Sequence, residues 1–280
     1  HIAYKVAGGY VGPPDEVSAA IRAETATWKS VLHQIVAIPR VPVVACFQAI
    51  RIAFSPTTKF GHHLSSHPPS VLQHVATEMR DELHRAIETL LGVPAVHLSR
   101  APSDHATTTR LSLAVDHGGC GLPDPAFECE LYFAAGFVNT LPIILKHPAT
   151  AAMIRATDEW ETTQSATLRA ARTSLARLIA ILIAPRKGRP DPDVAAPALV
   201  TAARKAATAQ QPFSSLALAE AAHKRVQSVA RHAIHGIVTA QLLVPGRLAL
   251  YPRMTLQSSA VRGAQVLLKL QTVPHSIRMN

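Results

Sequence analysis

Acidic residues, aromatics, cysteines and long apolar runs are all scarce in this chain of 280 residues. The three cysteines, Cys46, Cys120 and Cys129, are odd in number and widely spaced, which argues against a disulfide framework and fits a reducing compartment. Aromatics make up 5% of the residues, so Ala, Leu, Val and Ile must fill any core, a composition that favours helices. The longest apolar run, Leu178 to Ala184, is seven residues, far short of the ~20 that cross a bilayer. No adjacent Asp pair is present, and the one Asp-x-Asp, Asp191-Pro-Asp193, lies in a proline-rich stretch that reads as a solvated turn. Two-metal polymerase, nuclease or phosphatase chemistry needs clustered carboxylates, so this segment lacks the groups for it.

Hydrophobic residues are 48% and charged ones 16% of the chain, enough apolar mass for a sizeable core. The charge is unevenly placed. Residues 1–163 hold 12 Lys/Arg against 15 Asp/Glu, a net of −3; residues 164–280 hold 16 against 3, a net of +13. Such asymmetry points to a polyanionic partner for the C-terminal half, the simpler account being a solvated basic surface.

Ile2 to Gly12 alternates loosely and is punctuated by glycine, predicting a short hairpin. Pro13-Pro14-Asp15 opens a helix whose stripe of Val17, Ile21, Thr25, Trp28, Leu32, Ile35 and Val36 runs to about residue 38. A second helix is expected from Val43 to Phe54, then a His- and Pro-rich loop to Pro69. Ser70 is read as an N-cap, followed by Leu72, Val75, Met79, Leu83, Ile87 and Leu90 on one face and Gly92 at the C-terminal cap. Glu78, Asp81, Glu82 and Glu88 alternate with Arg80, His84 and Arg85 and are assigned to the wet face of that helix. Residues 93–124 read as loop. Helices resume over Pro125–Leu145, with Pro142 as the point where a break can fall, and over Asp158–Ala184. Residues 185–194 form a linker candidate, and further helices are expected near 195–209, 215–243 and 258–271. No repeat of 20 to 50 residues stands out.

Other motifs have plain explanations. His117-Gly-Gly-Cys120 with Cys129 would need His105 from across a loop to complete a zinc site, and the spacing is irregular; buried thiols are simpler. Gly8, Gly9 and Gly12 lack the Lys and Ser/Thr of a phosphate loop, Pro13-Pro14 following instead. The histidines at 62, 63 and 67 suit phosphate contact or metal, but no carboxylate in the sequence beside them would orient an imidazole. No Gly-x-Ser-x-Gly turn supports a hydrolase.

The stretch Thr109-Arg-Leu-Ser-Leu-Ala-Val-Asp-His-Gly-Gly-Cys-Gly-Leu-Pro-Asp-Pro-Ala126 resembles a segment of non-LTR-type retroelement reverse transcriptases, where an Arg-Leu stretch leads into Gly-Gly-Leu-Gly-Leu and an Ala-rich helix. Phe133-Ala-Ala-Gly-Phe and Leu141-Pro-Ile-Ile match that helix in character. Val6-Ala-Gly-Gly-Tyr-Val-Gly12 resembles the primer-grip hairpin just after the catalytic palm. Gln48 to Pro69, Ser70 to Gly92, and Gly263-Ala-Gln-Val-Leu-Leu with Pro274 follow in the family's order. Ala7 and Cys120 stand where Leu is usual, and no Arg precedes Pro68-Pro69.

The expectation is an all-α, elongated helical bundle with a short N-terminal β-hairpin. The resemblance implies primer grip and thumb over 1–100, a connection region over 101–184, a linker over 185–194 and a basic helical region over 195–280. It implies a fragment of an RNA-directed DNA polymerase, opening on His1, whose catalytic acids and Mg lie in the parent palm. This segment would carry no catalytic residue, cofactor or small-molecule substrate of its own. Its expected partner is an RNA/DNA template–primer, its location intracellular and nuclear, with no membrane contact. The expected nucleic-acid-binding residues are Lys5, Gly8, Tyr10, Gly12, Lys59, His62 and His63. The rival reading is a helical interaction or scaffold protein with a basic C-terminal half.

Overall fold

A computed structural model describes residues 2–6, 9–54, 59–92, 109, 111–114, 117–155, 165–183 and 235. The chain is mostly helical, with one short antiparallel hairpin at its N-terminus. Strands β1 (Tyr4–Val6) and β2 (Gly9–Val11) pair Tyr4 with Val11, Lys5 with Tyr10 and Val6 with Gly9. The helices are α1 (Pro14–Ala37), α2 (Val43–Ala53), α3 (Lys59–Ser66), α4 (Pro69–Leu91), α5 (Pro125–Ile144), α6 (Pro148–Arg155) and α7 (Ala166–Ile183). Among the described residues, no helix is long and apolar enough to cross a membrane. The linker over 185–194 and the expected C-terminal helices lie outside the described residues, apart from His235, which is helical.

Proline sets the helix starts. α1, α4, α5 and α6 each open on a proline, and α2 follows Pro42. A first-turn amide has no partner within the helix, so proline loses nothing there, and its fixed φ is already helical. The first hydrogen bonds return to the preceding residue: Val17 N–H to the Pro13 carbonyl at 3.0 Å, Ala45 to Pro42 at 2.9 Å and Val71 to Pro68 at 2.9 Å. The start of α4 is therefore set by Pro68-Pro69, and Ser70 lies inside the helix rather than capping it. α7 starts differently: the Leu168 amide donates to the Ser165 Oγ at 3.4 Å, a side-chain cap.

The chain divides into two units, one formed by 1–22, 59–76 and 125–234, the other by 23–58, 77–124 and 235–280. In the first, α3 and α7 both pack on α5, whose residues Cys129, Leu131 to Ala135, Phe137, Val138 and Leu141 are buried. α3 comes close because α5 offers Gly136: a Cβ there would lie 2.3 Å from the Ser65 carbonyl oxygen. α5 runs unbroken through Pro142 to Ile144, since a proline in the last turn removes one hydrogen bond and no following turn.

In the second unit, the stripe on α4 is buried as its periodicity predicts: Met79, Leu83 and Ile87 are fully enclosed. The charged face of that helix is not uniformly wet. Glu82, His84 and Glu88 are buried, a correction to the solvated face expected for Glu82 and Glu88. Glu82 tolerates this because Arg85 lies 3.2 Å away and His33 of α1 3.8 Å away, and Lys29 adds a second α1 link at 3.5 Å from Glu78. Burial, with Arg80 beside it, holds the His84 imidazole below its ordinary pKa against the opposing pull of Asp124, Asp81 and Glu88.

Gly136→Ala is expected to destabilise the protein by about 1–3 kcal/mol, because the added methyl must displace the α3 backbone rather than a flexible side chain. Denaturant unfolding of Gly136→Ala beside Ala135→Gly distinguishes two causes. A stability gain in Gly136→Ala from improved helix propensity would show that α3 does not approach as described.

Candidate functional site

A further expectation that needs correcting lies between Phe54 and Pro69. The stretch read as a His-rich loop contains a helix, α3, over Lys59–Ser66. Phe60, His63, Leu64 and His67 are buried on i, i+3, i+4 and i+7 spacing. Two of the four residues on this inner face are histidines, which a polar/apolar pattern counts as polar. When neutral they bury as flat rings. The Ser65 and Ser66 hydroxyls donate to the His62 carbonyl at 2.9 and 2.8 Å, tightening the last turn.

The hairpin sits against this helix. The Tyr10 ring stacks on His63, centroids 5.8 Å apart and planes at 23°, and His63 stacks on His67 at 6.0 Å and 22°. The Tyr10 backbone N–H donates to His67 Nε2 at 3.4 Å. That bond requires a lone pair on Nε2, so His67 must be neutral with its proton on Nδ1. Burial, with His63 and His62 alongside, lowers its pKa to about 4 and favours that form. Lys5, the cross-strand partner of Tyr10, places its ammonium 5.1 Å from the centre of the Tyr10 ring.

The structure thus gathers Lys5, Tyr10, His62 and His63 of the expected binding residues in one place. His62 and Lys5 are exposed, Tyr10 is half-buried, and His63 is enclosed. Gly12 lies just past β2 and is exposed; Gly8 and the side chain of Lys59 fall outside the described residues, although Lys59 begins α3. His67 is the member of the cluster that sequence reading left out of the site. Its signal was the four-residue spacing from His63, which puts both on one face of a helix but means nothing in a loop.

The glycine run at 118–121 in the second unit has a packing explanation. The Gly119 and Gly121 amides donate to the carbonyls of Ala114 and Leu113 at 3.2 and 2.8 Å. A Cβ on Gly119 would lie 2.1 Å from the Leu113 carbonyl oxygen, so only glycine fits. The Ala114 amide donates to the buried His235 at 2.7 Å, and His235 meets His117 edge to face at 6.2 Å. The Cys129 thiol, in the first unit, donates to Gln73 Oε1 at 2.8 Å. Among the described residues no three His, Cys, Asp or Glu side chains are grouped to hold a metal ion.

Comparison with protein-family models, with curated proteins and with solved structures finds no match.

Because the folded pKa of His67 lies below the unfolded value, folding favours its neutral form. The associated stability is complete above about pH 6.5 and is lost as pH falls from there through about 4. His67→Gln keeps an acceptor for the Tyr10 amide and does not titrate. Its stability should fall less steeply than wild type between those two values, the remaining slope coming from His84. Chemical denaturation across that pH range reads the difference, and identical slopes would remove His67 as a titrating group.

Proposed function

We propose that this chain is the helical segment that follows the catalytic palm of a retroelement reverse transcriptase, and that it holds the template–primer rather than performing the chemistry. The observation that carries the reading is the order of its motifs, from the glycine-bearing hairpin at 6–12 through the double proline at 68–69 to the Gly-Gly-Cys-Gly stretch at 118–121. Two features support it. The first element is a hairpin of the expected kind, and its Tyr10 is fixed on a helix that carries two of the other expected contacts, His62 and Lys59. The net +13 of residues 164–280 supplies the field that a polyanion requires.

In this reading Lys5 and His62 meet phosphates from the solvent side of the hairpin and α3. Tyr10 and the glycines of the hairpin lie along the primer backbone, and His63 and His67 brace Tyr10 from behind. Contacts of this kind orient a duplex without reading its sequence. The acids that bind Mg and the incoming nucleotide would belong to the parent palm, and the parent would act on RNA templates in the nucleus.

The chain should bind a short RNA–DNA hybrid weakly, with affinity falling steeply between about 50 and about 200 mM salt. Filter binding at the two concentrations tests this, and no affinity at the lower one would sink the proposal in favour of a scaffold protein. Given primer, template and nucleotides with Mg, the chain alone should extend nothing; measurable extension would mean that the polymerase acids lie within these residues after all.

A further inference from the structure

The pairing of the hairpin sorts its side chains between two faces. Directly opposed residues of an antiparallel pair share a face, and successive pairs alternate. Lys5 and Tyr10 are one such pair, and Tyr10 is the ring that stacks on His63 of α3. Tyr4 and Val11 are the next pair, so they lie on the other face. Tyr4 is 67% exposed and Val11 61%, and Ile2, two positions before Tyr4, is 70% exposed. Contact with α3 thus uses one face of the ribbon, and the other presents an aromatic ring beside two aliphatic side chains. Among the described aromatic residues Tyr4 is the most exposed.

The size and charge of this face select its ligand. A stable protein interface takes about 20–30 residues a side, and anchoring to a membrane takes a large apolar helix face or a cluster of basic residues. One ring with two aliphatic neighbours is far smaller, and matches a single nucleobase. No Asp or Glu occurs in residues 2–14 or in α3, while Lys5, Lys59 and His62 do. An exposed aromatic in acid-free surroundings suits a flat π-system that carries a phosphate. Inside a duplex both faces of a base are covered by its neighbours, so the base must be an unpaired one.

We infer that Tyr4 is a stacking platform for an unpaired base at the end of the RNA–DNA duplex, with Ile2 and Val11 covering the edges of that base. The inference rests on the reading of the chain as a template–primer holder and adds to it that the hairpin favours a duplex end with a single-stranded extension. The extension can belong to the template or to the primer, and the two are separable by experiment.

The test uses the full chain and three fluorescein-labelled RNA–DNA hybrids: blunt, with a short template overhang, and with a short primer overhang. Anisotropy at about 50 mM salt gives the ratio of overhang to blunt affinity. Wild type should prefer one overhang by about 5- to 100-fold, the range expected for one base stacked on one aromatic ring. Whichever overhang is preferred identifies the strand. Tyr4→Ala and Tyr4→Leu should bring the ratio close to one, and Tyr4→Trp should restore it, because the Leu variant keeps an apolar side chain and lacks the π-face. A 2-aminopurine in the preferred overhang should be quenched by wild type and Tyr4→Trp only. A wild-type ratio of one, or an unchanged ratio in Tyr4→Ala or Tyr4→Leu, would overturn the stacking site while the blunt hybrid's binding leaves the template–primer reading standing. No binding of any hybrid by wild type would overturn both.

Discussion

The approach of α3 to α5 at Gly136 is the contact from which the candidate site hangs. Because Gly136 has no side chain, the Ser65 backbone can lie directly on α5. Once α3 is held there, its inner face must be filled, and Phe60, His63, Leu64 and His67 fill it. His63 and His67 then present a flat surface and a lone pair, which are what Tyr10 uses. The hairpin has three residues in each strand, too few to be stable alone. It persists because its central tyrosine is anchored to a helix that is itself anchored by a missing side chain.

This chain of dependence puts a cost on the histidines. A protonated His67 would lose its role as acceptor and would place a positive charge beside His63 and His62 in a buried setting. Neutrality is therefore a structural requirement there, and it separates the roles of adjacent residues. His62 is exposed on the same helix, while His63 and His67 stack in line behind the Tyr10 ring. In the second unit His84 is also disfavoured in its charged form, although Asp124 and Glu88 pull the other way.

Much of the helical framework was legible from residue spacing. The stripe from Val17 to Leu32, the stripe from Leu72 to Ile87 and the hairpin before Pro13 all lie where periodicity and proline put them. Two kinds of feature were not legible. Histidine has no fixed polarity, so a helix whose inner face is half histidine reads as loop until tertiary contacts show the rings stacked and His67 held neutral. Buried charge on α4 was hidden for a related reason: Glu82 looks wet unless His33, 49 positions earlier, is known to reach it. Lys5, Tyr10, His62 and His63, named from the sequence, converge, but His67, which accepts from the Tyr10 amide and stacks on His63, required the helix first.

The Gly-Gly-Cys-Gly stretch shows how glycines can be set by the path of the backbone. Gly119 is demanded by backbone packing on Leu113, and the Gly119 and Gly121 amides donate to the carbonyls of Ala114 and Leu113. A motif of this type specifies a local chain path, and that path can serve any function built on it. The stretch is followed by α5, which begins at Pro125, where the apolar residues over 125–145 predict a helix. Chemistry has to be sought elsewhere, on faces where side chains are exposed, like-charged and not consumed by packing. Among the described helices, α7 carries Arg169 on an exposed face, while Arg177 is taken up by Glu130 in the contact that holds the helix down.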